Sequence, residues 1–412
     1  MKRNLLLICF FGCIIFNGHA QVRILFDATK AQTAGNADWV IDTDLNNMSW
    51  NPNACIGCGN ESNAQKMPTP AQSGITASTP ETYWTGSLSN WGIDCVKRGY
   101  SVETLPYNGQ ITYGNLTNPQ DLSNYKVFIS DEPNILFTAS EKTAIMNFVK
   151  NGGGLFMISD HTVSDRNSDG YDSPVIWNDL IQNNSVQNNA FGFSFDLLNY
   201  SQTSSNVLVS ATDSILHGPM GNVTQVKWSN GTSMTLNTLQ NPTVKGVVFQ
   251  TGASTAGSNS VMCAYSRWFA GKVGAIGDSS PPDDGTGDVN DVLYNGYTLD
   301  AAGNHQRLIM NMTIWLTLGG GPTGIEEINK ENDFLLYPNP TNNNLTIKLI
   351  ETFDHAPEIK ITNVNGELMK VSAIKNSGNQ ILLDISNLSD GCYFMSLNAE
   401  TSSAVKKLVV MH

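Results

Sequence analysis

Three apolar runs that each end on an acidic residue constrain the fold of this chain more than any other feature. Residues 23–26 precede Asp27, residues 126–130 precede Asp131-Glu132, and residues 154–159 precede Asp160-His161. Between them, Trp84, Leu88, Trp91 and Cys95 recur at helical spacing over 82–98, and 139–150 reads as a second helix. Further strands are expected at 101–105, 246–250, 260–265 and 271–276, with a closing helix over 305–318. Apolar strands alternating with amphipathic helices predict a mostly parallel α/β sheet covered on both faces. In such sheets ligands bind beyond the carboxyl ends of the strands.

The chain has 412 residues, too many for one ordinary domain. The Gly-Gly-Gly-Pro run at 319–322 and the polar stretch after it mark a linker over 320–333, which separates a unit at 21–319 from one at 334–412. The second unit reads as a small all-β sandwich, with strand-like stretches at 345–349, 358–364, 381–385 and 392–397 and turns at Asn365-Gly366 and Asp390-Gly391. Its segments Tyr337-Pro338-Asn339-Pro340-Thr341, 361–366, 383–388 with Gly391-Cys-Tyr-Phe394, and Lys406-Lys407-Leu-Val-Val410 resemble the sorting domain of the bacterial type IX secretion system. That resemblance implies handling by the secretion machinery, passage through the outer membrane, and release or cell-surface attachment.

The order of elements in the first unit, the run Asn151-Gly-Gly-Gly-Leu-Phe-Met-Ile-Ser159, and the strand Gly271–Gly277 leading to a helix with His305 and Trp315 resemble the class I glutamine amidotransferase-like fold. Within that group the chain is similar to the trehalose-utilisation (ThuA-like) branch. The implied fold is a flavodoxin- or amidotransferase-like sheet. Amidotransferases place a nucleophilic Cys at the elbow after the Gly-rich strand, where this chain has Ser159, so the resemblance implies the fold and not that chemistry.

Residues 1–20 have the basic, apolar and small-residue regions of a signal peptide, with cleavage expected after Ala20. Elsewhere no apolar run is long enough for a membrane span. The net charge is −13, and residues 21–329 carry 27 acidic against 14 basic side chains, which disfavours a nucleic-acid partner and suits metal cations. Removal of Cys9 and Cys13 with the signal leaves Cys55, Cys58, Cys95, Cys263 and Cys392; a Cys55–Cys58 disulfide or a bridge to Cys95 is favoured over zinc.

The candidate catalytic residues are those after the strands: Asp27, Asp131, Asp160, His161 and Asp278, together with His305 at a helix start. Clustered carboxylates raise one another's pKa for acid/base work or are neutralised by a metal, although each Asp by itself also suits a helix cap or an Asx turn. Glu132, Trp39 and Trp84 are candidate substrate-binding residues, the tryptophans by stacking on sugar rings. The stretch Asp165-Arg-Asn167-Ser-Asp169-Gly170-Tyr-Asp172 has the opening spacing of an EF-hand calcium loop, with Ile176 in place of the final Glu and Asp172 or Asp179 available to complete the shell. A second acidic loop spans 278–288, and Gly277-Asp278-Ser279 is similar to the GDS esterase signature.

These features lead to the expectation of a secreted, cation-supported hydrolase acting on an extracellular glycan or related polymer, with calcium and no organic cofactor. The alternatives are a non-catalytic carbohydrate-binding or adhesion protein, and an esterase or amidase using Ser159 or Ser279 as nucleophile.

Overall fold

The computed structural model describes residues 21–34, 37–42, 71–286, 294–298, 303–318, 334–349, 358–363, 367–377, 379–398 and 403–412. The expected signal peptide, Cys55 and Cys58, and the linker lie outside them. The chain divides into two compact units, Met1–Gly321 and Pro322–His412.

The first unit is built on a nine-stranded sheet. Its strands, in chain order, are β1 (Arg23–Asp27), β2 (Ser101–Leu105), β3 (Val127–Asp131), β4 (Gly154–Ile158), β5 (Phe193–Phe195), β6 (Met234–Leu236), β7 (Lys245–Phe249), β8 (Val261–Trp268) and β9 (Gly271–Ile276). Spatially they run β2-β1-β3-β4-β9-β8-β6-β5, with β7 also paired to β8. The pairs β2-β1, β1-β3, β3-β4 and β4-β9 are parallel. Beyond β9 every pair is antiparallel. The central sheet is therefore largely parallel, as expected, with an antiparallel extension that the sequence did not announce.

Alternation along the parallel strands sorts the core into two layers. Ile24, Phe26, Ile129, Phe156 and Ile158 face one side and pack with Trp91 of α1 (Ser89–Lys97) and Leu308 and Met312 of α4 (His305–Thr317). Leu25, Phe128, Leu155 and Met157 face the other and pack with Ile145 and Phe148 of α2 (Ala139–Lys150) and Trp177 and Leu180 of α3 (Ser173–Gln182). Strands buried on both faces need apolar residues at every position, which is why they read as continuous apolar runs. Helix α2 begins in a capping box, with the Thr138 hydroxyl accepting from Glu141 N–H and the Glu141 carboxylate accepting from Thr138 N–H. Ile176, expected as the last position of a calcium loop, instead belongs to the buried face of α3.

The second unit is all β. One antiparallel sheet runs Phe334–Tyr337, Asn344–Leu349, Gln380–Asp384, Ser372–Ser377, and the other Leu368–Met369, Glu358–Asn363, Gly391–Asn398, Ser403–Val410. Phe334, Leu345 and Ile347 from the first and Ile361, Met395 and Leu408 from the second share one core, the arrangement of a small sandwich.

Candidate active site

The order of the parallel strands reverses between β1 and β3, and such a switch point leaves a crevice at the carboxyl ends. Chain geometry there delivers Asp27 from β1, Asp131 and Glu132 from β3, Ser159, Asp160 and His161 from β4, and Asp278 and Ser279 from β9. All of these side chains are buried.

Glu132 and Asp160 form the centre. One Glu132 oxygen accepts from the Trp39 indole N–H at 2.8 Å and from the Ser279 hydroxyl at 2.8 Å. The other accepts from Arg166 Nε at 3.1 Å. The same guanidinium donates through Nη2 to Asp160 Oδ2 at 3.0 Å, so one cation ties two carboxyl groups together. Burial, followed by the negative charges of Glu132 and Asp278 and a hydrogen bond shared with Glu132, pushes Asp160 well above the usual carboxylate range against the pull of Arg166. Glu132 also holds a backbone φ of +38°, unusual for a residue with a Cβ and of the kind that collects at functional sites.

Asp131 is the unsatisfied member. It is 2% exposed, and neither carboxyl oxygen has a hydrogen-bond partner. Burial and the charges of Glu132, Asp278 and Asp283 raise its pKa well above normal. Asp278 is raised to about 7 by burial, even though the N–H groups of Ser280, at 2.8 Å, and Ser229 bond to it. His161 Nδ1 lies 2.6 Å from the Thr162 carbonyl and 2.9 Å from the Asn199 amide nitrogen, and its Nε2 faces Asp160 Oδ2 at 3.4 Å.

The turn that carries Asp278 depends on a close backbone approach. A Cβ at Gly277 would stand 2.1 Å from the Thr232 carbonyl oxygen. Gly277→Ala is accordingly expected to lose about 1–3 kcal/mol of stability or more, as overpacked positions do. Chemical denaturation measures it, and an unchanged midpoint would show that the approach is not required.

Several expected site residues do other work. Asp27 accepts from Thr29 N–H and Oγ, Gln32 Nε2 and Ser130 Oγ at 2.7–2.9 Å, which leaves its carboxylate fully occupied as a structural brace. His305 is fully buried, its Nδ1 donating to the Gly296 carbonyl at 2.7 Å and its Nε2 accepting from Lys227 N–H at 2.9 Å, so both ring nitrogens are taken up by backbone. Trp39 and Trp84 are core residues and offer no face to a sugar; Trp39 instead orients Glu132. Cys95 is a free, buried thiol and does not take part in a disulfide.

The expected calcium loop closes largely on itself. Asp165 accepts from the N–H groups of Asp169 at 3.1 Å and Gly170 at 2.8 Å, and Asp169 accepts from Tyr171 N–H and from the Asn167 amide at 2.9 Å each. Asn167 also donates to the Asn134 carbonyl at 2.6 Å. Asp172 receives Val163 N–H at 2.7 Å and the Thr162 hydroxyl at 3.0 Å through Oδ2, while its Oδ1 is buried without a partner. Asp179 is paired with Lys142 at 2.9 Å between α2 and α3. Among the described residues, no group of three or more His, Cys, Asp or Glu is arranged to hold a metal.

One residue of the centre was not anticipated: Arg166 stood inside a stretch read for its oxygen ligands, and a lone Arg there carries no pattern. Ser279, expected after its strand and as a candidate nucleophile, donates its hydroxyl to Glu132.

The secretion system C-terminal sorting domain family matches residues 335–411. The chain is therefore a substrate of the secretion machinery that such domains address, exported and then released or attached at the cell surface. No helix among the described residues is long and apolar enough to cross a membrane. No protein of curated function matches the chain. Among solved structures, an mmIFT52 N-terminal domain aligns at 14% identity and a TM-score of 0.42, covering 72% of this chain and 98% of that one.

Proposed function

We propose that the exported α/β unit is a hydrolase acting on an extracellular glycan or related polymer, with Asp160 and Glu132 as its acid/base pair. The reading takes the scaffold as an amidotransferase-like, ThuA-like sheet, which the largely parallel strand order supports, with carboxyl groups in the place of the Cys of that family. The observation that supports this reading is the pair itself: two buried carboxyl groups under one guanidinium, with burial and the charge of Glu132 raising Asp160 above the ordinary carboxylate range. Asp160 gives a proton to the leaving-group oxygen as the bond to the substrate carbon breaks, and Glu132, which shares a hydrogen bond with Asp160, takes one from the water whose oxygen bonds to that carbon, so the two act as a proton-exchanging dyad. His161, at 3.4 Å from Asp160, restores the proton from solvent. Purified full-length protein should release new reducing ends from at least one neutral or amino polysaccharide; failure across such a panel counts against this function.

A second reading is favoured by the Ser279 hydroxyl at 2.8 Å from Glu132, an arrangement in which a carboxylate could activate a serine nucleophile. A covalent serine probe separates the two, because labelling at Ser279 belongs only to the second.

Calcium belongs to the proposal as a support for the 165–172 loop, whose second end carries the unpartnered Asp172 Oδ1. Calorimetric titration is expected to show one calcium site that is lost in Asp165→Ala and Asp169→Ala. The same heat in both variants would remove calcium from this loop.

A further inference from the structure

We propose that the groove between residues 108–120 and helix α2 is a binding subsite for an uncharged oligosaccharide chain, separate from the carboxyl pair. The choice of a glycan as ligand rests on the function proposed above, whereas binding in the groove does not depend on turnover.

Shape and lining are the first ground. Two adjoining cavities of about 450 Å³ and 290 Å³ share Gly109 and Gln110 and so form one groove. The larger has the size of a small-molecule site. Ser140, Thr143, Ala144 and Asn147, at helical spacing on one face of α2, make one wall, and Ile111, Thr112 and Tyr113 contribute to the other. Among the described lining residues the charged one is Glu141, and its carboxylate is already occupied, by Lys30 Nζ at 2.7 Å from each oxygen and by Thr138 N–H at 2.8 Å. A charged ligand therefore finds no counter-ion, whereas a polyol finds amide donors and acceptors side by side at Asn108, Gln110 and Asn147. Tyr113 lies edge-on to Phe148, with ring centroids 6.4 Å apart and planes at 63°, which holds its ring in place as the kind of surface on which a pyranose face packs.

The rigidity and place of the groove are the second ground. Residues 106–121 have no strand or helix of their own, yet side chains fix their path. Buried Asp121 accepts from the Thr112 hydroxyl at 2.6 Å and from the N–H groups of Gly114 and Asn115 at 2.9 Å, while the Asn118 amide donates to the Gln110 carbonyl at 3.0 Å and to the Thr112 hydroxyl at 2.8 Å. A wall set in advance leaves little ordering to be done when a ligand binds. This loop follows the carboxyl end of β2 and the first turn of α2 follows that of β3, which places both on the sheet edge that carries Asp160 and Glu132. An extended peptide fits less well, because the outer edge of β2 is already taken: Gln72 bonds both Val102 N–H, at 3.1 Å, and the Val102 carbonyl, at 2.7 Å, and Gln120 donates to the Thr104 carbonyl at 2.9 Å.

The test is calorimetric titration of the full-length secreted protein with cellohexaose, laminarihexaose, mannohexaose and maltohexaose, with a galacturonic acid hexamer as the charged control and a Gly-Ser decapeptide as the uncharged peptide control. At least one neutral hexaose is expected to bind and both controls to fail. Tyr113→Ala should weaken that binding about tenfold and Gln110→Ala about fivefold, the losses of one aromatic contact and one set of amide hydrogen bonds. Gln110 is exposed, so its replacement keeps the test valid even if loss of the Tyr113 ring disturbs its packing on Phe148. No binding of any neutral hexaose, equal binding of the acidic hexamer, binding of the decapeptide instead, or unchanged affinity in Gln110→Ala and in a folded Tyr113→Ala would each overturn the subsite. Hexaose binding that the two variants weaken, with no polysaccharide hydrolysed, keeps the subsite and ends the hydrolase reading. Hydrolysis of a neutral polysaccharide with KM unchanged in both variants keeps the hydrolase and ends the subsite.

Discussion

The protein is expected to be more stable at about pH 5 than at about pH 8, by on the order of 2–4 kcal/mol. Asp131 and Asp160 sit well above the ordinary carboxylate range, Asp278 is at about 7 and Asp284 at about 6, each chiefly because burial opposes its charge. In the unfolded chain these groups titrate at about 3.9. From there up to the folded values the native state binds more protons than the unfolded one, so stability falls as pH rises through that window. Asp121, held at about 2 by its hydrogen bonds, and Asp213, lowered by Lys245 and Tyr265 bonds, act in the other direction and withdraw stability only under more acidic conditions. Thermal melts should show a midpoint roughly 4–10 °C lower at the alkaline end. Asp131→Asn should remove a large part of that loss, because an amide cannot ionise, and should raise stability at alkaline pH. A midpoint that climbs steadily from acid to alkaline pH would contradict the burial of unpaired carboxyl groups.

Glu132→Ala should destabilise the α/β unit by about 3–5 kcal/mol, the range for breaking a buried charged pair. Four groups depend on that carboxylate: the Trp39 indole, the Ser279 hydroxyl and Arg166 lose an acceptor, and Asp160 loses the neighbour with which it shares a hydrogen bond. Truncation also leaves a cavity under Trp39. Glu132→Gln keeps shape and two of the bonds and should lose much less, on the order of 1 kcal/mol. Denaturant unfolding of the two variants measures the difference, and equal losses would show that packing, not the carboxylate, holds this part of the site.

The parallel half of the sheet was legible because strands buried on both faces cannot avoid continuous apolar sequence, and their ends were marked by Asp27, Asp131 and Asp160. Strand direction in the other half was not legible. The hairpin from β8 to β9 turns through Phe269 and Ala270, which carry none of the Asn-Gly or Asp-Gly chemistry that signals a tight turn. Helix α3 was hidden by its own N-terminus, since Asp165, Asn167 and Asp169 match a calcium loop so well that Ile176 was counted as a loop position. The acidic residues at the site were found from their places after strands, but their division of labour was not. Asp27 and Asp131 are the same residue type after parallel strands and differ in what surrounds them: bonding groups occupy the first and leave the second bare, and His305 is likewise taken up by backbone. Such differences arise from residues far apart in the chain, and spacing alone does not encode them.

The most direct measurement is the rate at which wild type and Asp160→Asn hydrolyse the polysaccharide on which wild type is most active. Their melting temperatures serve as the control for folding. In the proposed mechanism the carboxyl group at 160 is the proton donor to the leaving group, so the variant should lose roughly 10²–10⁴ in kcat with its fold intact. A folded Asp160→Asn that turns over at the wild-type rate would contradict the assignment and move the chemistry away from this carboxyl pair.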